Sequence, residues 1–116
     1  MKRGEIYYAD LDPARSGEAN KLRPVVIVSN NSMNRTVEGL GEGVVTIVPL
    51  SSNIRRIYDF QVLLPALATG LPQDSKAQAE QVRSISIQRL SQTPSGQLPT
   101  DLLNQLNAAL RLHLDL

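Results

Sequence analysis

Apolar residues in the first half of the chain occur in short runs with the period of β-strands. Residues 5–11 alternate in part and are rich in strand-forming side chains. Residues 24–29 (PVVIVS) form a continuous β-branched run, as expected of a strand buried on both faces, and residues 43–50 (GVVTIVPL) form another. Pro49 in this second run indicates a bulge or an exposed end. Residues 57–64 alternate as a half-buried strand would.

The second half of the chain adds a broken strand and a helix. Residues 76–86 fit a strand with a break, or a strand that runs into a short helix. After Pro99-Thr100-Asp101, which offers a cap and a first-turn acid, apolar residues recur at helical spacing. This stripe consists of Leu103, Leu106, Leu110 and Leu114, widened by Leu102 and Ala109. The pattern predicts a mainly β fold with a C-terminal α-helix (α+β), an antiparallel barrel of about five or more strands.

Two polar segments interrupt the strands. Residues 14–22 are polar and contain glycine, and they form a loop longer than most hairpin connections, a length that often carries function. Residues 30–42 are polar and glycine-rich, with no more than a single helical turn suggested.

Length and composition restrict the class of protein. The 116 residues suit a single domain over 1–116, and the apolar fraction of 41% is ordinary for a globular chain. No apolar stretch approaches the roughly 20 residues that a bilayer requires, and the start MKRGEIYY has no apolar region of a secretory signal. The absence of cysteine excludes disulfides and thiolate chemistry. We therefore expect a cytoplasmic protein without a membrane partner.

Charge and aromatic content limit how the chain can bind nucleic acid. Twelve basic and eleven acidic residues give a net charge of +1, so RNA binding requires a local basic cluster. Tyr7, Tyr8, Tyr58 and Phe60 are the only candidates for base stacking. This scarcity disfavours a binder built mainly on aromatic platforms.

The available side chains exclude several reactions. His113 is the only histidine, so a two-histidine ribonuclease, a histidine-rich metal site and a Ser-His-Asp triad are excluded. Asp10 and Asp12 lie on one face of the first strand, but beside Pro13 they are better placed to cap a turn than to bind metal. Arginine, lysine, hydroxyls and amides remain, and no cofactor is expected. These groups suit attack by an RNA 2′-hydroxyl on its adjacent phosphate, because RNA supplies the nucleophile itself.

Three motifs together resemble one family. They are RGEIYYADLDPARSGEANKLRPVVIVSN at residues 3–30, TIVPLSSN at 46–53 and AEQVRSISIQRL at 79–90. In this order they resemble the MazF/PemK (Kid) toxins of type II toxin–antitoxin systems. The resemblance implies an SH3-like barrel and a homodimeric, metal-independent endoribonuclease that cuts single-stranded RNA at short sequences. The expected products carry a 2′,3′-cyclic phosphate and a 5′-hydroxyl.

The resemblance also implies roles for individual residues. Arg23 falls on the catalytic arginine, and independently it precedes a rigid buried strand that would fix its guanidinium. Ser51 falls where the family usually has threonine, which leaves open whether Ser51 or Ser52 takes the catalytic role; Ser52 is otherwise expected among the RNA contacts. Positions that line the family's RNA groove are matched by Glu18, Asn30 and Gln81, whose side chains would read unpaired bases. Possible phosphate contacts come from Arg55, Arg56 and Lys76.

Mechanism and partners follow from the same resemblance. Because arginine keeps its proton at neutral pH, we hypothesise that Arg23 stabilises the phosphorane charge while Ser51 positions the scissile phosphate. A MazE-like antitoxin with a disordered acidic tail would block the groove. Its landing site would be the basic cluster of Lys21, Arg23, Arg55 and Arg56. The alternatives are a CcdB-like toxin that binds DNA gyrase and a binding module without activity, since a barrel fold alone does not decide function.

Overall fold

The computed structural model describes residues 1–13, 15–19 and 21–116, so Ala14 and Asn20 of the predicted loop lie outside the described residues. The strands are β1 (Glu5–Asp10), β2 (Leu22–Ile27), β3 (Val44–Ser51), β4 (Gln61–Leu64), β5 (Ser75–Gln78), β6 (Arg83–Ser86) and β7 (Gly96–Gln97). The helices are α1 (Asn31–Leu40), α2 (Ala66–Thr69) and α3 (Thr100–Leu114), with short 3-10 helices at Ala79–Gln81 and Ile87–Arg89. Of the helices described, none is long and apolar enough to cross a bilayer.

Strand β3 joins the two halves of the sheet because it changes partners along its length. The strand order is β4-β5-β3-β2-β1-β7, with β6 also paired to β3, and the described pairings are antiparallel. The first half of β3 pairs with β6, its middle with β2, and its last two residues, Leu50 and Ser51, with β5. This exchange curls the sheet into a half-barrel. The predicted mainly β fold with a C-terminal helix is confirmed.

The central strands are buried on both faces. Val26 and Val48 belong to a core that α3 covers with Leu102, Leu106 and Ala109. Their strand neighbours Val25, Ile27 and Ile47 belong to a second core on the opposite face, which also includes Val37 of α1. Each fully buried aliphatic side chain stabilises the fold by about 1.5–3 kcal/mol. The continuous apolar runs in the sequence therefore correspond to strands that have no solvent face.

Helix α3 follows the predicted stripe with one exception. Leu102, Leu106 and Ala109 are buried, and Leu103 and Leu110 pack at the edge of the core. Leu114, the last residue of the helix, remains 48% exposed.

The prediction for residues 30–42 was too short. The ten-residue helix α1 forms there, because the Asn30 side chain caps it by accepting a hydrogen bond from the Met33 amide at 2.8 Å. Gly41 ends the helix in the left-handed conformation with φ of 74°. The buried face consists of Val37 and a polar residue, Asn34, whose amide donates to the Ser29 carbonyl at 2.9 Å. Because a cap and a buried amide hold this helix, its sequence shows little of the apolar periodicity by which helices are predicted.

Three other predictions differ in detail. The predicted strand at residues 57–64 is shortened to β4, because the Gln61 amide donates to the Tyr58 carbonyl at 2.9 Å and closes a turn. Pro49 is neither at a bulge nor exposed: it is buried and pairs with Val25. Proline has no backbone N–H to donate. Because Pro49 lies near the point where β3 changes partner, few hydrogen bonds between the strands are lost. The strand and short helix predicted at 76–86 are confirmed as β5, a 3-10 turn and β6.

Candidate active site

An open cleft of about 310 Å³ lies where β2 begins and β3 ends. Polar groups on its walls come from four separate parts of the chain. They are Tyr8 of β1, Lys21 and Arg23 at the start of β2, Ser51 and Ser52 at the end of β3, and Gln73 and Ser75 near the start of β5. Apolar side chains, including Leu50 and Leu71, form its floor and rim. The cleft therefore combines cationic, hydroxyl and amide groups on an apolar support.

Arg23 and Ser51 reach the cleft from neighbouring strands. Val25 of β2 pairs with Pro49 of β3. Arg23 lies two residues before Val25, and Ser51 lies two residues after Pro49 on the antiparallel neighbour. Because side chains alternate between faces of a strand, these two residues share a face. Arg23 is half-buried, and the buried part of β2 begins two residues later at Val25. The strand ladder therefore fixes the position from which its guanidinium extends.

The two candidate hydroxyls differ in their surroundings. Ser51 is half-buried, pairs with Lys76 of β5, and its Oγ accepts a hydrogen bond from the Asn53 amide at 3.2 Å. Accepting this bond leaves the hydroxyl hydrogen for donation. Ser52 also lines the cleft but is exposed and lies beyond the last strand pair. Its position in the strand and its hydrogen bond therefore favour Ser51 over Ser52 as the hydroxyl that contacts the phosphate.

Glu18, which was predicted to contact RNA, lies in a loop that the side chain of Gln81, another predicted RNA contact, holds from the neighbouring 3-10 turn. The Gln81 side chain accepts from the Ala19 amide at 3.1 Å and donates to the Gly17 carbonyl at 2.9 Å. Glu18 accepts from the Arg15 amide at 2.6 Å through its carboxylate. Both side chains thus shape the described part of the loop, 15–19. In this arrangement Gln81 ties the loop to the 3-10 turn that follows β5.

The remaining predicted residues lie in different places. Asn30 caps α1 at the far end of β2, roughly 20 Å from Arg23 along an extended chain. Lys76 is buried, and its ammonium donates to the Arg56 carbonyl at 2.9 Å. Arg55 and Arg56 are exposed in the segment between β3 and β4. Of the residues predicted to bind RNA, only Ser52 lines the cleft itself.

The acidic pair Asp10 and Asp12 serves as turn caps. Asp10 accepts from the Asp12 amide at 3.1 Å, and Asp12 accepts from the Lys21 amide at 3.0 Å. Within residues 1–13, 15–19 and 21–116, no three acidic or histidine side chains are grouped to hold a metal ion. The paired carboxylates therefore organise the base of the loop that leads to Arg23.

The sequence singled out Tyr7 and Tyr8 only as aromatic residues, and the structure separates them. Tyr7 is buried in the second core. Burial, with Glu5 and Glu38 nearby, raises the pKa of Tyr7 to about 12. Tyr8, one residue along β1, pairs with Pro24 and lines the cleft. The alternation of β1 was the signal that one of these rings faces outward. Gln73 and Ser75 of the cleft had no such signal.

Fold and cleft together define a small half-barrel whose polar groups suit phosphate chemistry. A family model described as "PemK-like, MazF-like toxin of type II toxin-antitoxin system" matches residues 2–114. The chain belongs to this family.

Relatives and solved structures agree with this assignment. The chain is 57% identical to "Endoribonuclease MazF9" of Mycobacterium tuberculosis (strain ATCC 25618 / H37Rv) over all of this chain and 98% of the relative. It resembles the crystal structure of MazF (Form-I) from Deinococcus radiodurans with a TM-score of 0.82 at 22% identity, covering 100% and 97% of the two chains. An endoribonuclease in complex with its cognate antitoxin from Mycobacterial species gives a TM-score of 0.77 at 25% identity, covering 100% and 96%.

These comparisons decide between the functional alternatives. The prediction of an endoribonuclease toxin of a toxin–antitoxin system is confirmed by the family and by the full-length relative. The gyrase-binding alternative is not favoured. The comparisons do not test the roles of individual residues, which stay predictions.

Proposed function

We propose that this toxin cleaves single-stranded RNA at short sequences without a metal ion, by attack of the 2′-hydroxyl on the adjacent phosphate. The products are a 2′,3′-cyclic phosphate and a 5′-hydroxyl. The observation that carries the proposal is the shared cleft of Arg23 and Ser51, each held at the end of a buried strand. A substrate that brings its own nucleophile requires mainly a fixed phosphate and stabilised charge.

Arg23 provides the charge stabilisation in this mechanism. Its planar guanidinium donates two parallel hydrogen bonds to the non-bridging oxygens, and these bonds strengthen as negative charge develops on the phosphorane. Ser51 donates its hydroxyl hydrogen to the same phosphate and holds it in line, while its lone pair accepts from the Asn53 amide. Lys21 lines the same cleft and adds positive charge near the RNA backbone.

The other predicted contacts belong to a surrounding recognition surface. Glu18 lies in the loop that Gln81 holds, so a base edge would meet the loop while Gln81 keeps its shape. Arg55 and Arg56 offer phosphate contacts from the segment after Ser51. Lys76 acts on that segment through its bond to the Arg56 carbonyl. Asn30 lies apart from the cleft as the cap of α1.

The test is cleavage of a long single-stranded RNA in EDTA, followed by mass spectrometry of the ends. We expect cyclic-phosphate ends from the wild type and intact RNA from Arg23→Ala. Ser51→Ala and Ser52→Ala form a matched pair that assigns the hydroxyl, since only the loss of Ser51 should slow cleavage strongly. Intact RNA from folded wild-type protein in EDTA would contradict the metal-independent reaction.

We also propose that this domain, over residues 1–116, works as a cytoplasmic homodimer under the control of a MazE-like antitoxin. A structural relative is an endoribonuclease in complex with its cognate antitoxin, which supports this assembly. An acidic tail would bind the basic residues Lys21, Arg23, Arg55 and Arg56, of which the first two line the cleft. Co-expression should relieve growth arrest, and purified antitoxin should block RNA cleavage. Unchanged cleavage with bound antitoxin would contradict blocking of the cleft.

A further inference from the structure

Three planar side chains form a stack in the segment between β3 and β4. Arg56, Tyr58 and Phe60 alternate along the chain, and the Arg56 guanidinium carbon lies 4.6 Å from the centre of the Tyr58 ring. The Tyr58 and Phe60 rings are parallel to within 3°, with centroids 5.2 Å apart. This is the offset stacking geometry of aromatic pairs, extended by a cation–π contact.

The stack is held in place by buried polar residues. Gln61 is buried, and its side chain accepts from the Tyr58 amide at 3.1 Å while donating to the Glu80 carboxylate at 2.8 Å. The Gln61 backbone amide also donates to the Tyr58 carbonyl at 2.9 Å. These bonds fix the backbone of Tyr58 from two directions. The ring is therefore ordered before any ligand arrives, which lowers the entropy cost of binding.

The stack is also connected to the candidate active site. The Lys76 ammonium donates to the Arg56 carbonyl at 2.9 Å, and Lys76 pairs with Ser51 across β5 and β3. One buried side chain thus links the first member of the stack to the strand pair that carries Ser51 at the cleft. An RNA strand with its scissile phosphate at Ser51 would place a neighbouring nucleotide on this side.

The stack is accessible from solvent. Tyr58 remains 42% exposed, although tyrosine rings that serve only to fill a core are buried. Two arginines and one aspartate in residues 55–60 give the surroundings a positive charge. Since Tyr58 is stacked between Arg56 and Phe60, an unpaired base would stack on the outer plane of the exposed Arg56 guanidinium, which Tyr58 supports and whose charge also suits the adjacent phosphate.

We propose that the Arg56–Tyr58–Phe60 stack binds one unpaired nucleobase of the RNA, next to the nucleotide whose phosphate is cleaved. This rests on the proposed cleavage of single-stranded RNA. It also revises an expectation from composition: few aromatic residues disfavour an extended platform, but two rings and one guanidinium suffice for a single base. Because stacking accepts every base, the site contributes affinity and register more than sequence choice.

The experiment removes the base and the ring separately. The cleavage site of the wild type in EDTA is first mapped on a long RNA. Short RNAs containing that site are then made with one abasic nucleotide at each flanking position, and kcat/KM is measured for wild type, Tyr58→Ala and Tyr58→Phe. Ile57→Ala is the matched control, since Ile57 lies between Arg56 and Tyr58 at a similar exposure of 37%.

We expect one abasic position to lower kcat/KM of the wild type by about tenfold to a hundredfold. Tyr58→Ala should lower cleavage of the intact RNA by a similar factor and be insensitive to that abasic position, because the Arg56 guanidinium on which the base stacks loses the ring that holds it in place. Tyr58→Phe keeps the π-face and should behave as the wild type, as should Ile57→Ala. This pattern supports the proposal.

Other patterns overturn it. If Tyr58→Ala slows cleavage but keeps full sensitivity to every abasic position, the stack serves only the structure of the segment. If Tyr58→Ala instead weakens dimerisation or antitoxin binding and leaves RNA cleavage unchanged, the surface binds protein. Failure of the wild type to cut RNA in EDTA would be a failure of the proposed function itself. In that case photocrosslinking of 5-iodouridine RNA to the Arg23→Ala protein still tests the stack, and the absence of any adduct within residues 56–60 overturns the proposal.

Discussion

The central strands β2 and β3 and the segment of residues 52–60 differ in how they are held. The strands are buried on both faces and share a continuous ladder of pairs, from Val25–Pro49 to Ile27–Ile47. The segment lies outside the sheet and is fixed by a few side-chain bonds, chiefly from Lys76 and Gln61. Yet the two regions meet at Ser51, which ends β3 and precedes the segment.

This difference indicates a division of labour. Groups that act on the phosphate extend from the ends of rigid strands, where a small displacement would be costly to catalysis. Groups proposed to bind the rest of the RNA lie on segments whose geometry depends on single polar contacts. Changes in the strands should therefore affect turnover or folding as a whole, whereas changes in the segments should affect binding while the fold survives. The following predictions test that separation.

The largest expected effect is on chemistry, from Arg23. Arg23→Ala should lower kcat/KM by about 10³-fold or more, because the phosphorane loses its principal donor. Arg23→Lys should recover only a small part, since a point charge does not reproduce the two-donor geometry. Single-turnover cleavage and thermal unfolding are measured together. Near-normal turnover of Arg23→Lys would show that the bidentate picture is wrong.

The second effect is on stability, from the buried strands. Ile47→Ala should lower the free energy of unfolding by about 2–5 kcal/mol, because Ile47 is fully buried in the second core. Leu67→Ala is the control, since Leu67 is fully exposed and should change stability by less than about 0.5 kcal/mol. Chemical denaturation measures both. Equal effects at the two positions would contradict the assignment of the core.

A smaller effect is expected where Gln81 holds the 15–19 loop. Gln81→Leu removes the hydrogen bonds to Ala19 and Gly17 while keeping the approximate size of the side chain. Hydrogen exchange of the Ala19 amide should become about fivefold faster, since a hydrogen bond contributes about 1 kcal/mol. RNA binding should weaken while the stability of the core is unchanged. An unchanged exchange rate would show that the loop is held by other contacts.

The smallest effect is expected from Lys76. Lys76→Met removes the bond to the Arg56 carbonyl but keeps the apolar stem in its buried position. Cleavage should fall a few-fold, mainly through KM, because the segment loses one anchor while Arg23 and Ser51 keep theirs. Leu67→Ala serves as the reference, since Leu67 is fully exposed on α2 and does not line the cleft, and it should change kcat/KM by less than about twofold. A loss through kcat alone would place Lys76 in the chemistry instead.

Sequence patterns were sufficient where burial determines structure. The β-branched runs predict β2 and β3 because these strands have no solvent face, and the leucine spacing predicts α3 because one face covers a core. The full length of helix α1 was not predicted, because hydrogen bonds of Asn30 and Asn34 and the left-handed conformation of Gly41 define the helix. Such bonds depend on local geometry more than on apolar periodicity.

The candidate site was predictable to a similar extent. Arg23 and Ser51 could be placed through a family resemblance and the ends of predicted strands, and the structure brings them into one cleft. The two hydrogen bonds between Gln81 and the loop span 62 and 64 positions of sequence, and no local pattern reveals such distant contacts. The stack of Arg56, Tyr58 and Phe60 depends on a segment that leaves the sheet, where strand alternation had been predicted.

The partner exchange of β3 has a consequence for the evolution of the family. After Ser51 the chain leaves the ladder and returns only at Gln61, so insertions and substitutions between them break no strand pair. The strands on either side, by contrast, cannot shift by one residue without turning their apolar side chains toward solvent. Selection can therefore vary the intervening segment rapidly under a constant catalytic scaffold. Toxins that differ only in this one stretch of chain would keep the same chemistry while binding their RNA with different strength.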